Sequence, residues 1–268
     1  MLTFRDLITG FRRLELDPSN PVIAHASLSA FGNVQGGAGT LLGALMTTAS
    51  RVVMPAFTYK TMVVPETGPE NNALDYGKGH AINRMAVIFD PKLPADRLMG
   101  VLAECLRRHP KSLRSRHPIL SFTGINAQRA LRAQTYAEPL APIRVLMDEQ
   151  GWVLLLGVNH TSNTSMHFAE RLAGRKQFIR WALTPHGVRE CPGFPGCSDG
   201  FQAIVPKLEG INRRVQIGAA KVEAVPLSPL IEIVRAWIAA DPLALLCSNE
   251  FCQRCSAIRD TSISRERG

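Results

Sequence analysis

The feature that most restricts this chain is a five-residue apolar run, Trp152 to Leu156, set between Gly151 and Gly157. Five residues is strand length and falls short of a helix. A polar stretch follows, Asn159-His160-Thr161-Ser162-Asn163-Thr164-Ser165, made of side chains that hydrogen-bond backbone and favour turns and helix N-caps. Met166 to Leu172 is good helix-forming sequence. Strand, polar turn, helix start is where open α/β sheets bind ligands, outside the carboxyl ends of their strands. His167 falls in the first turn of that helix, and Glu170, three residues on, lies on the same face. Histidine is the side chain whose ordinary pKa suits proton transfer near neutrality, so the pair is a candidate catalytic unit. On the residues alone a second reading stays open, in which His167 caps or packs the helix and Glu170 is a surface partner.

A second strand-loop-helix-strand run lies near the N-terminus. Leu2 to Leu14 predicts a short amphipathic helix, closed off by Pro18 and Pro21. Val22 to Ala26 predicts a strand that runs into a loop with glycines at 36, 37 and 39. Thr40 is placed to cap a helix over Leu41 to Thr48, and Arg51 to Met54 predicts the next strand, stopped by Pro55. That spacing is a βαβ unit and implies a parallel pair. Thr58 to Met85 reads as one long loop, of the kind that forms lids or binding loops. Further helices are predicted over Asp96 to Arg108, with Leu98, Val101, Leu102 and Cys105 on one side, over Ala127 to Ala133 and over Pro142 to Gln150. Ile119 to Thr123 predicts a strand, and Phe201 to Leu208 and Val215 to Val222 a helix and a strand in either order. Ser228 and Pro229 open a last clear helix that Asp241-Pro242 stops. The length allows one large domain or two small ones; the expectation is a single α/β domain over residues 1–260 with a cysteine-containing part at about 190–258, and the polar tail 261–268 is expected to be disordered.

The formal net charge is +9, which favours anionic partners. The basic residues are not gathered in a tail; they recur from Arg107 to Arg132 and again from Arg171 to Arg180. Aromatic residues make up only 6%, poor material for stacking bases. Phosphates on a small molecule fit this chain better than nucleic acid. No apolar run reaches bilayer length, and Met1 to Leu16 has no apolar signal-peptide core. A cytoplasmic protein with no membrane partner is the expectation. Oligomeric state does not follow, a homodimer being one option.

Gly196-Cys197-Ser198-Asp199-Gly200 matches the esterase elbow G-x-S-x-G. That motif needs a preceding strand and a later histidine. Here Pro195 and Gly196 precede it, and the last histidine is His186, so the match is accidental. Without a secretory signal the six cysteines are not expected to pair as disulfides. Cys252 and Cys255 have chelating spacing, and Cys191 and Cys197 offer a second pair, so these four are candidate ligands of a structural zinc. Cys247 lies five residues before Cys252. The plain alternative is that some of them are buried apolar residues.

Four stretches in order resemble the aminoglycoside 3-N-acetyltransferases and their relatives. They are His25-Ala26-Ser27-Leu28-Ser29-Ala30-Phe31-Gly32, Met54-Pro55-Ala56-Phe57-Thr58, the run from Met99 to Arg114-Ser115-Arg116-His117-Pro118, and Leu154 to Glu170. The resemblance spans residues 22–170, and the C-terminal third matches less well. It implies a three-layer α/β/α fold around a central mixed, largely parallel sheet, distinct from the common N-acetyltransferase superfamily. It also implies acetyl-CoA as donor and a small-molecule amine, an aminoglycoside or related amino compound, as acceptor. The family's essential histidine falls on His167, which would act as general base in a direct transfer without an acyl-enzyme. Glu170, or second Asp199, would orient it. His25, Ser27, Leu28, Ser29, Phe31 and Gly32 would lie along pantetheine and pyrophosphate, and Arg114, Ser115 and His117 would meet the CoA phosphates. Ser29 and Thr164 would offer hydrogen bonds to the developing oxyanion. One departure is charge: a polycationic acceptor calls for an acidic cleft, and the long loop carries only Glu66, Glu70 and Asp75 before residue 76. Two other classes remain, a zinc-stabilised basic module that binds nucleic acid and a CoA-binding relative without antibiotic-acetylating activity.

Overall fold

A computed structural model describes residues 1–266. Along the chain the strands are β1 (Val22–Ala26), β2 (Val52–Pro55), β3 (Met62–Val63), β4 (Leu113–Arg114), β5 (Phe122–Ile125), β6 (Trp152–Leu156), β7 (Phe178–Thr184), β8 (Gly187–Phe194), β9 (Arg213–Ile217) and β10 (Ala220–Pro226). The main sheet runs β4-β5-β2-β1-β6-β10-β9, and a smaller one runs β3-β7-β8. β1 pairs in parallel with both β2 and β6. The flanking pairs, β2 with β5, β5 with β4, β6 with β10 and β10 with β9, are antiparallel. The sheet is mixed, and its parallel part is the middle three strands.

Those middle strands are apolar on both sides because both sides are covered. Successive side chains of a strand point to opposite faces. Val22 and Ala24 of β1 and Leu154 and Leu156 of β6 enter one core, while Ile23, Val153 and Leu155 enter the other. The first core is closed by α1 (Phe4–Arg12), α2 (Gly37–Thr48) and α4 (Gly100–Arg108); the short α3 (His80–Met85) lies in the segment before α4. The second is closed by α5 (Gln128–Ala133), α6 (Ala141–Asp148), α7 (Thr164–Leu172) and α8 (Leu227–Ala240). These are the two helical layers of an α/β/α sandwich. A fully buried side chain such as Phe168 contributes about 1.5–3 kcal/mol by leaving water.

Several local expectations shift. α2 starts at Gly37, capped by Gly36, so Thr40 sits inside it rather than at its end. Pro55 ends β2 as a member of the strand. The strand expected from Ile119 begins at Phe122, because Ile119 and Leu120 are held in a turn on His117. The helix expected from Asp96 is broken at Gly100, whose φ of +80° separates a 3-10 turn over Arg97–Met99 from α4. Leu98 and Val101 are consequently 80% and 52% exposed, and the buried face is Leu102, Ala103 and Leu106. The expected long loop contains β3 and α3 and is pinned to the small sheet: Asn72 bonds both backbone groups of Ile179, and Arg180 donates to Asn72 and Ala73 carbonyls. Residues 213–226 form a β9-β10 hairpin after a 3-10 stretch over Phe201–Leu208. α9 (Gln253–Glu266) runs through most of the tail expected to be disordered; residues 267 and 268 lie outside those described. Among the described residues no helix is long and apolar enough to cross a membrane.

Candidate active site

β1 and β6 end side by side, so the segments that follow them leave the same edge of the sheet. After β1 the chain turns through Leu28–Phe31 towards α2 on one face. After β6 it turns through His160–Ser162 into α7 on the other. Adjacent parallel strands whose connections part to opposite faces leave a crevice between them. The two turns almost touch at Gly157: its φ is +70°, and a Cβ there would lie 2.5 Å from that of Ala30, so only glycine fits.

Asn163 caps α7, its side-chain oxygen accepting from the Ser165 N–H at 3.1 Å. One turn in, His167 Nδ1 lies 2.7 Å from Glu170 Oε2. The other carboxylate oxygen, Oε1, accepts from Arg175 Nη1 at 2.7 Å. Arg175 also donates to the carbonyls of Pro242 and Ala244. Glu170 is 1% exposed and Arg175 6%; charges so buried persist when paired and hydrogen-bonded. The His167 ring rests against Phe201, with centroids 4.7 Å apart. The result is a guanidinium–carboxylate–imidazole chain whose last ring reaches a groove.

That groove has a volume of about 400 Å³ and is walled by Met54, Phe57 and Tyr59, by Thr161 to Thr164 with His167, and by Phe194 to Gly196 with Ser198, Asp199 and Arg254. Burial pushes the Tyr59 hydroxyl up to about 12, against the opposing pull of Arg254. His25 lines the same space; burial, with the nearby His160, pushes its pKa down to about 3, so the ring is neutral. Its Nε2 is buried with no hydrogen-bond partner among the described residues. Past Val158 the depression continues between Ser27, Leu28, Ser29 and Gly32 on one side and Leu98, Gly100 and Val101 on the other. Ser27 and Ser29 hydroxyls lie 3.1 Å apart there.

The structure therefore brings together His167, Glu170, His25 and Thr164, with Ser27, Leu28, Ser29 and Gly32 in the adjoining stretch. Asp199 shares the groove wall, but the carboxylate bonded to His167 is that of Glu170. Other expectations are corrected. Phe31, 2% exposed, packs in the core under α2 instead of facing a ligand. Arg114 is committed internally, donating to Ser121 Oγ and to the carbonyls of Ala56, Pro91 and Leu93. Burial lowers its pKa to about 10. Ser115 Oγ accepts from the Phe122 N–H, and His117 Nδ1 accepts from Ile119 and Leu120. Burial pushes His117 down to about 4. These three hold the turn before β5 and are not among the groove's lining residues. Cys191 sits in the core on β8, away from Cys197, Cys252 and Cys255, which gather instead with Cys247.

Three groups escaped sequence reasoning. Tyr59 and Arg254 carry no local signal, since distant segments bring them to the groove. Arg175 lies five residues after Glu170, beyond a helix turn, and reaches it because the chain reverses at Gly174, φ +75°. A positive side chain just after a glycine that ends a helix was the available clue.

A family model described as aminoglycoside 3-N-acetyltransferase matches residues 23–239. Aminoglycoside N(3)-acetyltransferase IX of Micromonospora chalcea is 30% identical, over 85% of this chain and 90% of that protein. Aminoglycoside N(3)-acetyltransferase VII of Streptomyces paromomycinus is also 30% identical, over 84% and 87%. Among solved structures, the apoenzyme of aminoglycoside acetyltransferase AAC(3)-IVa superposes with a TM-score of 0.78 at 21% identity, covering 97% of both chains. A binary complex of AAC-IIIb with CoASH gives 0.72 at 24% identity, covering 89% of this chain and 97% of that one. At these identities the superpositions speak for the fold.

Proposed function

Because the chain belongs to the aminoglycoside 3-N-acetyltransferase family, we propose that it moves an acetyl group from acetyl-CoA to an amine of an aminoglycoside or related amino compound, with His167 as general base. Acetyl-CoA supplies an activated acetyl thioester. The stretch past Val158 suits its pantetheine arm, with serine hydroxyls on one wall and the exposed Leu98 and Val101 on the other. Glu170, held as a carboxylate by Arg175, can only accept a hydrogen bond. The proton of a neutral His167 ring therefore sits on Nδ1, and Nε2 keeps its lone pair. Nε2 takes the proton that the acceptor amine gives up as its nitrogen bonds to the acetyl carbon; the carbon–sulfur bond of the thioester breaks as the tetrahedral adduct collapses, and CoA leaves as a thiolate that takes a proton from the imidazolium or from solvent. Glu170 then stabilises the imidazolium and keeps the ring aimed. Thr164 and Ser29 offer hydroxyls where negative charge develops. The acceptor side presents one carboxylate, Asp199, and one guanidinium, Arg254, rather than a ring of acids. An amine with few charges fits that wall as well as a polycation does.

The observation that carries this reading is the 2.7 Å contact from Glu170 to a histidine lining the groove. The test is a thiol-release assay with acetyl-CoA and a panel of aminoglycosides, amino sugars and simple amines. His167→Ala should lower kcat by about 10²-fold or more. Acetyl-CoA should still raise the melting temperature of the variant, since a ligand that binds only the folded state stabilises it. Wild-type turnover in His167→Ala, or a thermal shift with DNA or RNA and none with acetyl-CoA, would remove the proposal.

A further inference from the structure

Four cysteines, one from the segment after β8 and three from residues 247–255, meet beside the groove. Cys197 follows β8, Cys247 follows α8, Cys252 precedes α9 and Cys255 lies in its first turn. Their sulfurs all lie within 4.8 Å of one another, and those of Cys247 and Cys255 are 3.4 Å apart. None is in a disulfide. They form a small cluster of their own beside the two cores, with the half-buried Leu246 packed against it. Burial in an apolar core therefore does not account for them.

A tetrahedral zinc with Zn–S bonds of about 2.3 Å places its sulfurs about 3.8 Å apart. The observed spread needs only small side-chain rotations to reach that shape. We propose that Cys197, Cys247, Cys252 and Cys255 bind one zinc ion in a closed, structural site. The four thiols release four protons to solvent as they ligate, and the cage is left with a net charge of −2. Two guanidiniums stand ready to offset it. Arg254 donates to the Gly196 carbonyl at 2.8 Å, and Arg259 donates to the Cys247 carbonyl at 2.5 Å. The Asp199 N–H already points at the Cys197 sulfur, 3.5 Å away.

The site ties the groove wall to the C-terminal helix. Cys197 stands between Gly196 and Ser198, both of which line the groove with His167, and Arg254 on α9 lines it from the same side. A Cβ at Gly196 would lie 4.0 Å from Glu170 Oε2, so this wall backs directly onto the carboxylate that holds the histidine. An ion joining residues 197, 247, 252 and 255 fixes that wall as the polypeptide alone does not.

The test uses the full chain, grown with zinc and purified without chelators. Elemental analysis should return close to one zinc per chain. Cobalt(II) added to the reduced, metal-free protein should give the visible bands of a tetrahedral thiolate site. Cys252→Ser should lose most of the metal and melt at a lower temperature, whereas Cys191→Ala should keep a full equivalent. Cys247→His, which retains a zinc ligand, should hold metal where Cys247→Ser does not, a comparison that survives if the serine variants fold poorly. Zinc well below one equivalent together with no cobalt spectrum, a disulfide among the four found by mass spectrometry, or equal metal loss in Cys191→Ala would each overturn the site. Metal content and spectra do not depend on turnover, so these outcomes stand apart from the fate of the acetyl-transfer reading.

Discussion

Glu170 is the residue on which the proposed chemistry turns, because it faces two partners at once. One oxygen holds His167 and the other holds Arg175. Replacing it with glutamine keeps its size and a hydrogen bond but allows the amide to donate, which favours the wrong tautomer of the ring. Glu170→Gln should therefore lower kcat by about 10²-fold or more, with acetyl-CoA KM nearly unchanged; steady-state kinetics decide it. Arg175→Ala leaves a buried carboxylate with only the imidazole beside it. Breaking a buried pair in this way costs about 3–5 kcal/mol, which urea denaturation would read. His167 and Glu170 were legible in the sequence because a helix places residues i and i+3 together. Arg175 was not, since its pairing depends on where the helix ends. Phe31 shows the converse: a motif gives the order of residues, and which of them turn inward depends on packing.

At the level of elements, α4 is the most informative miss. Apolar spacing put Leu98 and Val101 on its buried side, yet Gly100 breaks the run and rotates them out. Their exposure is what makes an apolar wall for the groove. Leu98→Asp should weaken acetyl-CoA binding by roughly ten-fold or more, if its burial under the ligand contributes about 1.5–3 kcal/mol. The melting temperature of the free protein should not move, because Leu98 is 80% exposed. Isothermal titration beside a melting curve separates the two. β1 and β6 came out of the sequence with their observed ends, since an apolar run bounded by glycine or proline leaves little choice. The small sheet did not, because its pairing with residues 62–63 joins segments more than a hundred positions apart.

For the whole molecule, burial of two neutral histidines links stability to acid. His25 is pushed down to about 3 and His117 to about 4. An unfolded histidine protonates near 6.5, so below that pH the unfolded chain binds protons that the folded one refuses. Unfolding free energy should fall as pH drops from about 6.5 towards 4, each histidine adding a slope of up to about 1.4 kcal/mol per pH unit. His117→Asn should lose one such increment, as denaturant melts across that pH range would show. A ligand site at the end of β6 could be anticipated from the strand, polar turn and helix start around residues 152–172, whereas the layered sandwich came from the family resemblance. The sheet's antiparallel flanks could not, because they depend on how distant segments return to the middle strands; of the cysteine quartet three members were legible from spacing, and Cys247 in place of Cys191 was not, because β8 carries Cys191 into the core.

β1 and β6 give alternate side chains to the cores above and below the sheet. Each of those strands is thus a partition shared by two rooms, with the doorway of the groove cut at its end. Loosening the furniture on either side shifts the same door frame. Leu41 and Ile231, remote from each other, therefore press on opposite sides of the same two strands, whose ends lead into Ser27 and Val158.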